Sequence, residues 1–199
     1  MGRIFYLIGM SSTGKDTIYK LIMKKENLGL KPIVPYTTRP IRDGETEGIQ
    51  YHFTDEEGYR RLRDSGSIIE DRVYHTIHGD WRYFSVNDGE INLDKESYFV
   101  IGTLESYESF KRYFDEEVVI PIYLYIDDGE RLSRALKREL KPENRKFKEM
   151  CRRFLADCED FSEDKLLASG IKEENRFENI DKAECADNIY NFIKAKLWT

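Results

Sequence analysis

The chain has 199 residues, 35% of them charged, a net charge of −6 and an isoelectric point near 5.3. That length suits one compact domain with small insertions, while the acidic balance weighs against a general nucleic-acid binder. The longest apolar runs, such as "VVIPIYLYI", are too short to span a bilayer, and three unevenly spaced cysteines do not make a disulfide framework.

Arg3 is followed by only five apolar residues before a glycine, which is not a signal-peptide layout, so a reducing cytoplasmic location is expected. "RIFYLI" (3–8) reads as a buried strand ending at a glycine. A helix is expected from Lys15 to about Glu26, with Ile18, Leu21 and Ile22 on one face. Residues 32–54 carry turn chemistry, including Asp43-Gly44 and Gly48. Thr54 with Glu57 resembles a capping box for a short helix ending at Gly66. "SIIEDRVYH" and "WRYFSV" read as strands, so residues 32–86 form a small α+β insertion.

"SYFVIGT" (97–103) is the next buried strand, with a helix through about Phe114 after it. "VVIPIYLYI" (118–126) is the strongest strand; Pro121 inside it predicts a sheet edge or a strand start. Residues 129–158 read as two helices around the break "KPENRK", with Pro142 stiffening the turn. Cys151 and Cys158 share a helical face and read as small buried hydrophobes. The last helix starts at Asp181, with Glu184 as its capping-box partner and Ile189, Ile193 and Leu197 on one face. Alternating strands and helices argue for a mostly parallel, doubly wound sheet.

Between the first strand and helix stands "GMSSTGKDT". Its spacing Gly9-x-x-x-x-Gly14-Lys15 fits a loop whose amides cradle a polyphosphate, aided by a helix N-terminus and one ammonium. The usual Ser or Thr after the lysine is replaced by Asp16, with Thr17 one place later. A carboxylate there suits the helix dipole and can reach Mg²⁺ directly or through water. Arg39, Arg42 and Glu45 cluster in the stretch "TTRPIRDGE". His75 and His78 lack a third partner for a metal site. Residues 131–153 concentrate ten lysines and arginines in an otherwise acidic chain.

With these stretches in hand, the chain resembles the guanylate kinase family of P-loop nucleoside monophosphate kinases over nearly its whole length. The resemblance rests on "GMSSTGKDT", "YTTRPIRDGETEGIQYHF", "IIEDRVYH" and the basic helices around "RALKRELKPENRKFKEMCRRF". It implies an α/β fold: a P-loop three-layer α/β/α core over 1–31 and 87–199, an acceptor-binding α+β insertion over 32–86, and a helical lid at about 137–150. It implies ATP with Mg²⁺, and transfer of the γ-phosphoryl group to GMP. The implied nucleotide cradle is Gly9, Met10, Ser11, Ser12, Thr13, Gly14, Lys15, Asp16 and Thr17, with Asp16 and Thr17 on the metal. Lys15, Arg138 and Arg153 are the implied catalytic cations, Arg152 being the other candidate on its helix. Thr38, Arg39, Arg42, Tyr51, Glu70 and Tyr83 are the implied acceptor residues, with Trp81 the alternative to Tyr83 and Glu70 reading guanine. Arg39 and Arg42, three apart, then fork around the acceptor monophosphate, with Glu45 to hold an arginine in place. Asn179 stands near the family's adenine-holding position. Partners are then small molecules, with no nucleic acid or membrane, and the chain is a monomer or homodimer.

Three positions depart from the family. Pro35 replaces a base-holding serine, and Gly102 and Leu104 replace two aspartates, with Glu105 one residue off. The "GKD" loop variant, with these departures, admits two other acceptors on the same fold, ribose 1,5-bisphosphate or a deoxynucleoside monophosphate, against which stand Glu70 and the full "TTRPIRDGE…YHF" stretch. They also admit a catalytically silent binding module, a reading the retained Gly14-Lys15 opposes.

Overall fold

The computed structural model describes residues 1–76, 79–141 and 145–198; Pro142 and His78 lie outside that set. Nine strands and seven α-helices are described: β1 (Ile4–Ile8), α1 (Lys15–Met23), β2 (Leu30–Pro32), β3 (Tyr36–Thr37), β4 (His52–Phe53), α2 (Glu56–Asp64), β5 (Ile68–Thr76), β6 (Gly79–Val86), β7 (Ser97–Ile101), α3 (Leu104–Phe114), β8 (Val119–Tyr125), α4 (Asp128–Glu139), α5 (Phe147–Asp160), α6 (Glu163–Ala168), β9 (Arg176–Glu178) and α7 (Lys182–Leu197). Five of the strands form one sheet in the order β2-β7-β1-β8-β9, and every pairing in it is parallel.

Strand alternation divides the core into two layers. Ile4, Tyr6 and Ile8 of β1 join Tyr107 and Phe110 of α3 on one face. Phe5 and Leu7 join Ile18 and Ile22 of α1 and Ile189 and Ile193 of α7 on the other. Helices therefore cover both faces of the parallel sheet, the α/β arrangement expected.

The second sheet, β4-β3-β6-β5, lies wholly within residues 36–86. Its longest pairing is the antiparallel one between β6 and the edge strand β5, which slips register between Ile68 and Glu70. The slip spares Ile69 from pairing, and Ile69 packs into the main core while Glu70 sits opposite Ser85.

Several local expectations need correction. The first helix ends at Met23, followed by a 3₁₀ turn at Glu26–Leu28. Asp55, not Thr54, caps α2: its carboxylate accepts from Gly58 N–H at 2.7 Å. Strand β8 is not at a sheet edge but between β1 and β9. Pro121 is tolerated because β9 pairs with β8 only from Tyr123 onward, and Asn175 Nδ2 donates to the Pro121 carbonyl at 3.2 Å. Cys151 is exposed and Cys158 half-buried, so only Cys185 is a buried small residue. The sequence reading missed the short strands β2 and β9, which have three residues each and little periodicity to show. At α7 the Asp181 half of the expected capping box is present, accepting from Ala183 and Glu184 N–H, while among the described residues no Glu184 side-chain bond returns to it.

Candidate active site

The loop from Ile8 to Lys15 bends at residues in the left-handed region. Gly14 (φ 99°) precedes α1, and a Cβ there would collide with Asn179 Nδ2, so only glycine fits. Ser12 adopts φ 66°, uncommon for a residue with a side chain. Inside the bend, buried Thr13 donates from Oγ1 to the Met10 carbonyl at 2.8 Å. Asn179, placed by sequence near the adenine position, props the loop from behind: Nδ2 donates to the Thr13 carbonyl at 2.6 Å, and its own N–H donates to Tyr125 at 2.9 Å. Ser12 Oγ and Asn179 Oδ1 are buried with no hydrogen-bond partner, polar atoms a ligand could satisfy.

The Lys15 ammonium folds over this loop, donating to the Gly9 carbonyl at 2.5 Å and the Met10 carbonyl at 2.8 Å. Burial pushes its pKa down to about 8, against the opposing pull of the Asp157 and Asp16 carboxylates. Beside it opens a cavity of about 680 Å³, lined by Ser11, Ser12, Gly14, Lys15, Asp16, Thr17, Arg134, Arg138, Arg153, Asn179, Ile180, Asp181 and Lys182. Five cationic side chains there face two carboxylates, an excess that suits a polyphosphate. Asp16 is exposed at the cavity wall and does not plug the loop.

Two of the sequence-selected arginines, Arg138 and Arg153, reach this cavity from α4 and α5. They share Glu139: its Oε1 lies 3.3 Å from Arg138 Nε and 3.9 Å from Arg153 Nη2, while its Oε2 accepts Lys146 N–H at 2.9 Å. That backbone donor, followed by burial against it and then Arg138, keeps the Glu139 carboxyl below its ordinary range. Arg152 points elsewhere, paired with Glu149 at 2.7 Å. Arg134, not singled out from sequence, also lines the cavity and donates from Nη2 to the Asn179 carbonyl at 3.1 Å. Helical spacing could have found it, since 131, 134 and 138 share one face of α4.

On the small sheet, the implied acceptor residues cluster and largely satisfy one another. Arg39 is buried, and its guanidinium is held by Glu45 at 2.5 and 2.7 Å. Glu45 also accepts Arg42 N–H at 2.9 Å; the Arg39 contact leads in drawing its carboxyl down to about 2. The Arg39 guanidinium stacks 5.0 Å from the Tyr51 ring, and Tyr51 meets Tyr83 edge-on at 5.6 Å. Thr38 Oγ1 accepts Arg82 N–H at 2.9 Å. The Arg42 guanidinium lies 6.0 Å from the Trp81 ring. Glu70 is buried, its Oε1 accepting from Ser85 Oγ at 2.9 Å and its Oε2 from Arg72 Nε at 3.2 Å. Burial raises its pKa over the lowering pull of Arg72. The two arginines therefore do not form an open fork: Arg39 is closed on Glu45, and Arg42 stands apart from it in solvent.

Between the sheets lies a second cavity, of about 500 Å³, whose walls include Gly9, Ser11, Lys15, Arg72, Tyr74, Leu104, Glu105, Glu108, Asp157, Asp160, Phe161 and Lys165. It meets the first cavity at Ser11 and Lys15. Arg39, Arg42, Tyr51, Glu70 and Tyr83 are not in its lining. Asp157, which no sequence pattern marked, joins both the loop and this wall; it is one turn past Arg153 on α5.

Compared with known proteins, residues 1–81 match the family model for guanylate kinase. That segment carries the phosphate loop, the Thr-Thr-Arg-Pro stretch and Glu70. By that match, residues 1–81 are similar to guanylate kinases. Guanylate kinase of Neisseria gonorrhoeae is 34% identical over 100 residues, which cover 50% of this chain and 46% of that one. Guanylate kinase of Chlorobaculum tepidum is 29% identical over 140 residues, 68% of each chain. The match thus spans about half the length of the first of these relatives. A crystal structure of guanylate kinase from Anaplasma phagocytophilum aligns with all of this chain and 87% of its own at a TM-score of 0.63 and 24% identity, which extends the shared fold to the whole length.

At Gly102, where the resemblance expects an aspartate, a side chain does not fit. A Cβ there would run into the Tyr6 hydroxyl, which pairs with Ser106 Oγ in the core. Leu104, at the second aspartate position, is buried against that same layer. Glu105 lines the second cavity, one residue along. Among the described residues, no group of three or more His, Cys, Asp or Glu could hold a metal, and no helix is long and apolar enough to cross a membrane.

Proposed function

We propose that the chain transfers the γ-phosphoryl group of ATP to GMP, giving ADP and GDP. The observation that carries this reading is the meeting of two cavities at Lys15 and Ser11. A transfer between two bound substrates needs two chambers joined where the moving group passes. The donor side is the cationic cavity, and the acceptor side is the cavity under the small sheet.

In this reading the loop amides and Lys15 hold the polyphosphate, and Arg138 and Arg153, with Arg134, spread positive charge around the transferring group. An oxygen of the acceptor monophosphate attacks in line, so no covalent enzyme intermediate is needed. Thr38, Arg39, Arg42, Tyr51 and Tyr83 supply the acceptor-phosphate grip, and Glu70 accepts from the guanine N1–H and N2–H₂ edge. Since these residues do not line the second cavity, the insertion closes toward Lys15 when both substrates bind, which also expels water.

The donor cavity fits a magnesium ion: Asp16 and Thr17 offer hard oxygens beside the loop, and magnesium needs few protein ligands when phosphates and water fill the rest. The ion, when bound, offsets polyphosphate charge. The chain acts on small molecules in the cytoplasm, as a monomer or homodimer. No observation favours another phosphorylated acceptor or a silent binding module.

A coupled assay of ADP release with GMP, dGMP, AMP and ribose 1,5-bisphosphate tests the reading. GMP should give the highest kcat/KM. Absence of turnover with all four, and no thermal stabilisation by ATP with Mg²⁺, would remove it.

A further inference from the structure

The phosphate loop already holds an anion, and the anion is a side chain. Ser11 N–H donates to Asp157 Oδ2 at 2.8 Å, across 146 residues of sequence. Behind that carboxylate stands Arg131, with Nη1 3.5 Å away. Arg131 is fully buried, fixed by Asp128 at 2.9 Å and by the Phe154 ring at 3.8 Å. Asp157 lies in the wall of the acceptor-side cavity together with Ser11 and Lys15. Of the charges acting on the Lys15 ammonium, it is the largest. A loop amide beside an ammonium is what a phosphoryl oxygen seeks, and a carboxylate is a smaller, singly charged substitute.

We propose that Asp157 is a positioning residue that stands in for the transferring phosphoryl group in the substrate-free chain and leaves Ser11 N–H when a triphosphate binds. This rests on the phosphotransfer reading above. A single N–H cannot serve two anions, and two like charges at one donor repel. Arg131 stays with the carboxylate after it leaves, so no charge is stranded. Arg153 lies one turn before Asp157 on α5, so displacing one carries the other and couples donor loading to the arginine's position.

A plain structural brace would have the same contacts but the opposite sign of effect. Removing a brace loosens the loop and weakens nucleotide binding; removing a stand-in strengthens it. Calorimetric titration of D157N, against the unaltered chain, with ATP, ADP and AMP and no acceptor reads that sign. ATP should bind about three- to tenfold more tightly to D157N, ADP less so, and AMP equally. An unchanged or weaker ATP affinity in D157N overturns the proposal. D157S, which also removes the charge, gives the same reading should the amide variant fold poorly. In the unaltered chain, hydrogen exchange over residues 154–160 should rise on adding ATP and not on adding AMP; no change overturns the proposal as well. An unaltered chain that binds no ATP refutes the phosphotransfer reading instead, so the two failures are distinguishable.

Discussion

The two halves of the site are built on opposite plans. On the donor side, side chains from α1, α4 and α5 converge on open space, and buried polar atoms such as Ser12 Oγ have no partner. On the acceptor side, the charged residues close on each other: Arg39 on Glu45, Glu70 on Arg72 and Ser85. One half is preformed for a ligand, while the other is preformed for itself and must exchange internal partners for external ones. Donor-side changes should therefore act on chemistry, and acceptor-side changes on binding and stability.

The largest effect that could break this contrast comes from Lys15. Lys15→Ala removes the ammonium shared by both cavities and should lower kcat by about a thousandfold in the coupled assay. Unchanged turnover would remove the enzyme reading altogether. Next comes the pair of acceptor arginines, which the structure separates. Arg42→Ala should raise the GMP KM by about 10- to 100-fold with kcat largely kept, as expected for a lost phosphate contact. Arg39→Ala leaves Glu45 with only the Arg42 N–H and removes a cation stacked against Tyr51 and Phe53. Its first consequence should be a melting temperature several degrees lower. If Arg39→Ala instead keeps its melting temperature and loses only acceptor binding, the internal closure described above is not what holds that half together.

The contrast also explains what could be read from the sequence. The phosphate loop is contiguous, so Gly9, Gly14 and Lys15 announce themselves by spacing. The Thr-Thr-Arg-Pro stretch stands out for the same reason, as one run from Thr37 to Phe53. Arg134 was legible only as a helical neighbour of Arg138, and Asp157 not at all, because its meaning depends on α5 folding back over a loop more than a hundred residues earlier. The Pro121 expectation failed in an instructive way: a strand can be interior over part of its length and open at one residue. Whether Glu45 would meet an arginine was suggested by sequence, but that it would take both Nη atoms of Arg39, with Nε left buried and unpartnered, required the buried geometry.

A pH experiment sharpens the donor side, with an effect of about tenfold by pH 9. Burial holds Lys15 near a pKa of about 8 in the folded chain, whereas an unfolded lysine keeps its proton to about 10.4. Above pH 8 the folded chain loses that charge first. Two consequences run in opposite directions. The kcat/KM for ATP should fall as the ammonium is lost. Over the same interval the unfolded chain binds more protons than the folded one, so Lys15 makes stability rise with pH. Saturating ATP should move the fall in rate to higher pH, because polyphosphate favours the charged form. A kcat/KM for ATP flat to pH 9.5 would show that Lys15 is not held in the buried setting described.

The smallest effect tests the acceptor side most closely. Glu70 is only 8% exposed, and both its oxygens already accept from Arg72 and Ser85. Each oxygen keeps a second lone pair, so a guanine edge would share this carboxylate with Arg72 and Ser85 rather than hold it alone. Glu70→Gln should therefore reduce the preference for GMP over IMP, which lacks the 2-amino group, by only about two- to fivefold. Glu105→Gln, on the wall of the second cavity, should have an effect of similar size. A hundredfold collapse of the preference in Glu70→Gln would mean that substrate binding frees this carboxylate from Arg72 and Ser85. The acceptor half would then serve its ligand as fully as the donor half does, and the difference between them would be one of timing, open before binding on one side and opened by binding on the other.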